Sequence, residues 1–187
     1  MIPGKLVSLA PGVRRLVANN PGLMTGSGTN TYLLGVREVA VLDPGPDDTD
    51  HLQSILAAAE RSVRWIIVTH THRDHSPLAG ALARATGACL IGLPPPADGR
   101  QDDRFRPDEL PRDGQTFILG GIALVAIHTP GHASNCVSYL LGAERLLFTG
   151  DQERHPWAKL TLEAHLIKLG REGRVSEHNG VWRVPRA

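Results

Sequence analysis

The segment Thr69–His75, THTHRDH, constrains this chain more than any other, because it puts three histidines and an aspartate into seven positions. It begins at the end of RWIIVT (64–69), a nearly all-apolar run of the kind a strand covered on both faces produces. His70 and His72 alternate with period two, so extended backbone points both the same way. The turn that follows brings Asp74 and His75 to a neighbouring point. Burying that many polar rings without a ligand is costly. The spacing therefore predicts a site for a divalent metal ion.

Two further strand ends carry matching residues. HTPGHASN (128–135) closes an apolar run, and Pro130-Gly131 makes a sharp turn that aims His132 back along the sheet edge. RLLFTGD (145–151) ends on Asp151 after a glycine. Sites usually form on loops held at the ends of packed strands.

The remaining pattern gives the scaffold. VRRLVA (13–18), NTYLLGV (30–36), EVAVLD (38–43) and ACLIGL (88–93) are predicted strands, with TFILGG, IALVAIHT, CVSYLLG and RLLFTG following between 116 and 150. Residues 48–61 show helical spacing, and a second helix runs from Ser76, as N-cap, through Pro77 to Thr86. Residues 94–115 form a polar loop, and GSGTN (26–30) a turn. The order implies an α/β (α+β) fold of two mixed sheets with helices outside. In the tail, 155–175 is a predicted helix, and Asn179-Gly180 marks a hairpin over 174–184. Helix plus hairpin resembles the end of a winged-helix module.

Charge and cysteine content exclude several classes. With 20 Lys+Arg against 19 Asp+Glu, there is no bulk drive toward nucleic acid or membrane. MIPGKLVSLAPG has no apolar run long enough for a signal peptide, and no stretch approaches a transmembrane span. Cys89 and Cys136 stand in unrelated contexts, so a reducing cytoplasm is the expected location, and Cys136 in CVSYLL is a core cysteine. His51 and His128 have no metal-ligand partners at useful spacing.

Taken in order, THTHRDH, GH and TGD resemble the metallo-β-lactamase superfamily. ANNPGLMTGSGTNTYLLG (18–35) with VLDPGP (41–46) is similar to the branch of glyoxalase II and beta-lactamase-like protein 2, several of which carry a C-terminal winged helix. The resemblance implies an αββα sandwich over 1–152 and a winged-helix remnant over 153–187. It implies that His70, His72 and His132 bind a first zinc, that Asp74 and His75 bind a second, and that Asp151 bridges them. Asp43 would support the metal loop from outside. Mn2+ and Fe2+ suit similar ligands.

The family pattern breaks after Asp151. Asp151-Gln152 runs almost directly into HPWAKLTLEAHLIKL, so the second half of the sandwich, a late histidine for the second zinc and the start of the winged helix are missing. An internal deletion around 152–155 is the simplest account. His155, His165 and His178 are expected to be surface residues. The expected activity is hydrolysis of a thioester, ester, lactone or lactam by a metal-bound hydroxide oriented by Asp74. One alternative is a metal-dependent endonuclease on single-stranded RNA, helped by a tail with 7 Lys+Arg against 4 Glu from Glu153 to Ala187. Another is an impaired or non-catalytic remnant. A small acyl substrate is the expected partner, with no membrane. Exposed faces of a shortened sandwich leave room for a homo-oligomer.

Overall fold

The computed structural model describes residues 1–60, 62–99 and 101–150, with 170, 171, 173, 176–178 and 181–183. The first sheet runs β1 (Val7–Ala10), β2 (Val13–Val17), β3 (Asn30–Leu34), β4 (Val39–Leu42), β5 (Val63–Ile67), β6 (Cys89–Ile91) in spatial order. Strands β1 to β4 pair antiparallel, whereas β4–β5 and β5–β6 are parallel. The two parallel pairs need crossovers, supplied by α1 (Thr49–Ala58) and α2 (Ala79–Thr86). The second sheet holds β7 (Thr116–Leu119), β8 (Ile122–His128), β9 (Val137–Leu141) and β10 (Leu146–Phe148) in the order β10-β9-β8-β7.

Side-chain alternation along the strands builds the layers. Leu33, Val41, Ile66 and Leu90 pack with Ile55 and Leu56 of α1 and Leu82 of α2. Their chain neighbours Leu34, Leu42, Ile67 and Ile91 point the other way, onto Leu124, Val137, Tyr139 and Phe148 of the second sheet. The first sheet is thus buried on both faces, as its apolar strands require.

Several expectations are corrected. The second sheet is wholly antiparallel, not mixed. Strand β1 was not foreseen; it forms because Pro11-Gly12 turns VSLA back on β2. Ser76 is not a helix cap. The helix starts later, with Leu78 at the cap position and no side-chain cap bond, and the Ser76 hydroxyl donates to Asp102 Oδ2 at 3.0 Å instead. Asp48 does cap α1, accepting from the backbone of Asp50 and His51.

In the tail, β11 (Ser176–His178) and β12 (Val181–Arg183) pair antiparallel, as the expected hairpin requires, and His178 is the last residue of β11. The helix expected over 155–175 lies outside the described residues apart from Gly170, Arg171 and Gly173. The same holds for Asp151, His155 and His165. Among the described residues no helix is long and apolar enough to cross a membrane.

Because both faces of the first sheet are core, Leu33→Ala and Leu34→Ala should each cost about 2–5 kcal/mol. Urea unfolding would check this; a near-zero cost for either would mean that one face is open.

Candidate metal centre

The site lies where β5, β8 and β10 end. β5 finishes at Ile67, and the chain continues through Val68 and Thr69 into the loop that carries His70, His72, Asp74 and His75. The Thr69 carbonyl accepts from Val137 N at 2.8 Å, which ties this loop to the second sheet. His132 follows β8. His70, His72 and His132 present ring nitrogens that all lie within 4.8 Å of one another. His70 Nε2 is 3.1 Å from His72 Nδ1 and 3.3 Å from His132 Nε2.

Hydrogen bonding fixes the tautomer of His70. The Thr69 hydroxyl lies 2.8 Å from Asp43 Oδ2 and 3.0 Å from Oδ1, and an ionised carboxylate only accepts. Thr69 therefore gives its proton to Asp43. Its oxygen accepts from His70 Nδ1–H at 3.0 Å, and the lone pair of His70 falls on Nε2, facing the other two rings. Burial, and then the nearby His75, His72 and His132, hold His70 well below the usual histidine range, so it is neutral at pH 7. A buried neutral imidazole with its lone pair turned toward two others is a good donor set for a divalent ion. The residues present fit a metal.

Asp74 and His75 sit beside this cluster. His75 is fully enclosed between two carboxylates, with Nδ1 3.0 Å from Asp43 Oδ2 and Nε2 3.3 Å from Asp74 Oδ2. Burial alone would push His75 down, but Asp43 and then Asp74 outweigh it and hold the ring well above its ordinary value. For Asp74, burial would raise the carboxyl; the hydrogen bond and charge of His75 prevail and bring it to about 2. Asp74 is therefore ionised at neutral pH.

Asp43 organises this loop from β4. It is buried, has φ of 51°, and accepts from Thr69 N at 2.8 Å as well as from the Thr69 hydroxyl and His75. Gly45 then donates to the His75 carbonyl and accepts from Leu78 N. Asp151 lies outside the described residues, but Gly150 before it is held against the cluster. Its φ is 88°, and a Cβ there would fall 2.5 Å from Thr69 Oγ1 and 3.0 Å from His70 Nδ1. Only glycine fits.

Several supporting residues were not singled out from sequence. In sequence, Thr69 and Gly150 are marked only by their places in THTHRDH and TGD. His51, given no role, is buried on α1. The Thr31 hydroxyl donates to the Asp43 carbonyl at 2.8 Å, so the 2.9 Å contact with His51 Nε2 has the ring N–H as donor. The His51 ring also packs against Gly45, within 3.4 Å of where a Cβ would stand. No spacing rule finds such a residue; its signal is burial. His128 stays outside the cluster, with Nε2 2.7 Å from Pro111 O. Cys136 is buried and Cys89 half-buried, and neither is in a disulfide.

The comparisons agree with this geometry. The model of the metallo-beta-lactamase superfamily matches residues 24–163, and the chain belongs to that superfamily. The beta-lactamase associated winged helix domain matches 150–182. An atrochrysone carboxyl ACP thioesterase from Aspergillus chevalieri is 35% identical over 150 residues, 76% of this chain and 46% of that protein. A beta-lactamase-like protein 2 homolog from Caenorhabditis elegans is 35% identical over 151 residues, 76% of this chain and 50% of its own length. The chain thus spans about half the length of the curated relatives it matches. Among solved structures, a metallo-beta-lactamase family protein from Thermus thermophilus superposes with a TM-score of 0.64 at 21% identity, over 91% of this chain and 73% of that one. A metallo-beta-lactamase from Cronobacter sakazakii gives 0.62 at 23%, over 78% and 62%. These two establish the fold alone. The fold implies a bound metal ion.

Asp43→Asn keeps the shape and removes the charge that orients Thr69 and His75. It should weaken metal binding about 10–100-fold, read by chelator competition. His51 gives a pH test. Burial lowers its folded-state pKa, against a weaker opposing effect of Asp48. The unfolded chain then binds the extra proton more readily, and the stability involved is lost as pH falls below about 6.5. In His51→Gln the fall in unfolding free energy between pH 7.5 and 5.5 should be shallower than in the wild type. Parallel curves would exclude His51 as a contributor.

Proposed function

We propose that this protein is a zinc-dependent hydrolase acting on an acyl thioester, or on a related ester, lactone or lactam. The observation that carries this reading is the convergence of His70, His72 and His132 within 4.8 Å, with the His70 lone pair aimed inward. The relative named as an ACP thioesterase supports the choice of an acyl thioester.

In this reading His70, His72 and His132 hold one ion. Asp74 would offer a ligand to a second, as would His75 once its ring gives up the extra proton that the two carboxylates favour, and Asp151, by its place in TGD, would be shared by both. Bound zinc lowers the pKa of water to about 7 and polarises the carbonyl under attack. The chain's own groups do the rest. Asp74, ionised at neutral pH, accepts a hydrogen bond from the attacking water and orients it. Asp43 and Thr69 keep the His70 ring in the tautomer that faces the site. Residues 1–152 would form the hydrolase unit and 153–187 a winged-helix remnant. Two cysteines outside any disulfide suit a reducing, cytoplasmic location.

A second reading, an impaired or single-metal protein, has one observation in its favour. The superfamily match ends at 163 and the winged-helix match begins at 150, so the two overlap and leave no chain between them for a late histidine ligand.

Elemental analysis and a turnover assay separate these. The hydrolase reading expects at least one zinc per chain and thioester cleavage that chelator removes and zinc restores. His72→Ala should lose more activity than the about 10–100-fold typical of changes outside the ligand shell. Unchanged turnover in that variant would exclude the site. Bound zinc with no cleavage of thioesters, esters, lactones, lactams or labelled single-stranded RNA would favour the second reading.

A further inference from the structure

Asn135 stands three residues after His132 in the β8–β9 loop and is only 6% exposed. Its Nδ2 lies 2.7 Å from Thr71 Oγ1, 3.2 Å from Pro94 O and 3.5 Å from Leu93 O. The surroundings fix the direction of this amide. The two carbonyls only accept. Thr71 gives its single hydroxyl proton to Gln101 Oε1 at 3.0 Å, so toward Asn135 it too only accepts. A flipped amide would set Oδ1 against three acceptors.

Thr71 is the residue between His70 and His72, and its carbonyl accepts from Asp102 N at 2.6 Å. One side-chain amide therefore joins three loops: the one with His70 and His72, the one with His132, and the 92–106 segment. Asp43 braces the metal loop from within the first sheet. Asn135 braces it from the second.

The amide is also retained at a cost. Among the described residues, Asn135 Oδ1 is buried with no hydrogen-bond partner. A residue that only filled space would carry no such penalty. The donor is what the position needs.

We propose that Asn135 is a positioning residue: by donating to Thr71 it sets His132 against the His70–His72 pair and so tunes the metal cluster. This rests on the reading of those three histidines as metal ligands.

The test uses the full chain, with zinc affinity read by chelator competition and ligand geometry by the absorption spectrum of the cobalt-loaded protein. Asn135→Asp keeps the shape and replaces the donor by an acceptor. Thr71→Val removes the hydroxyl, and Thr71→Ser keeps it. Asn135→Asp and Thr71→Val should each weaken zinc binding about 10–100-fold and shift the cobalt spectrum. Thr71→Ser should behave as wild type. The double variant Asn135→Asp/Thr71→Val should lose clearly less than the two single losses combined, because the bond between the two side chains is removed by either change. Leu16→Ala, a core change on β2, controls for general destabilisation and should keep its affinity. Wild-type affinity and spectrum in both Asn135→Asp and Thr71→Val would overturn the proposal, and so would an equal loss in Leu16→Ala. If Asn135→Asp does not fold, the Thr71→Val and Thr71→Ser pair decides. A wild-type chain that takes up neither zinc nor cobalt would overturn the metal reading itself, a failure visible before any variant is made.

Discussion

Asp43 is a buried carboxylate, and a buried charge persists only when its oxygens are met by donors. Here the donors are the Thr69 amide, the Thr69 hydroxyl and the His75 ring. Each belongs to the loop that follows β5. Meeting the needs of one charge just past β4 thus fixes the backbone of the metal loop, the tautomer of His70 and the orientation of His75 together. The left-handed backbone at Asp43 is unfavourable for a residue with a Cβ. Flanking bonds sustain it: Asp43 N donates to the Ile67 carbonyl, and the Asp43 carbonyl accepts from Thr31. His51 supports Thr31 in turn, so the chain of dependence runs from α1 to the histidine cluster.

Much of this was legible in the sequence, for identifiable reasons. The period-two placement of His70 and His72 after an apolar run is a local signal, and local geometry carries it out. The Pro-Gly turn before His132 is another. The apolar run RWIIVT told of a strand covered on both sides, and the two core clusters divide Ile66 from Ile67 as alternation demands.

What was not legible depends on tertiary partners. Ser76 has the composition of a helix cap, but Asp102, brought in by the 94–115 loop, captures its hydroxyl. Strand β1 is only four residues long and has no clear alternation to stand out, and pairing with β2 makes it a strand. His51 and Asn135 belong to no spacing rule, since their partners are remote in sequence: Thr31 for one, Thr71 for the other. The 94–115 loop is polar in composition, yet it buries Gln101 and Asp102 against the metal loop and Phe105 in the core beneath the helices. Polar residues signal solvent only until a buried donor or acceptor claims them.

The cluster straddles the two sheets. His70 and His72 extend from β5 of the first, and His132 from β8 of the second. The core between the sheets is apolar and non-directional, so it presses the layers together without fixing how one slides on the other. A metal held by these three rings would act as a rivet through both layers, locking their offset as well as their separation. Metal loading would then be a step in completing the tertiary structure, and the domain's resistance to unfolding would rise with free metal concentration, as it does for any ligand that binds only the folded state.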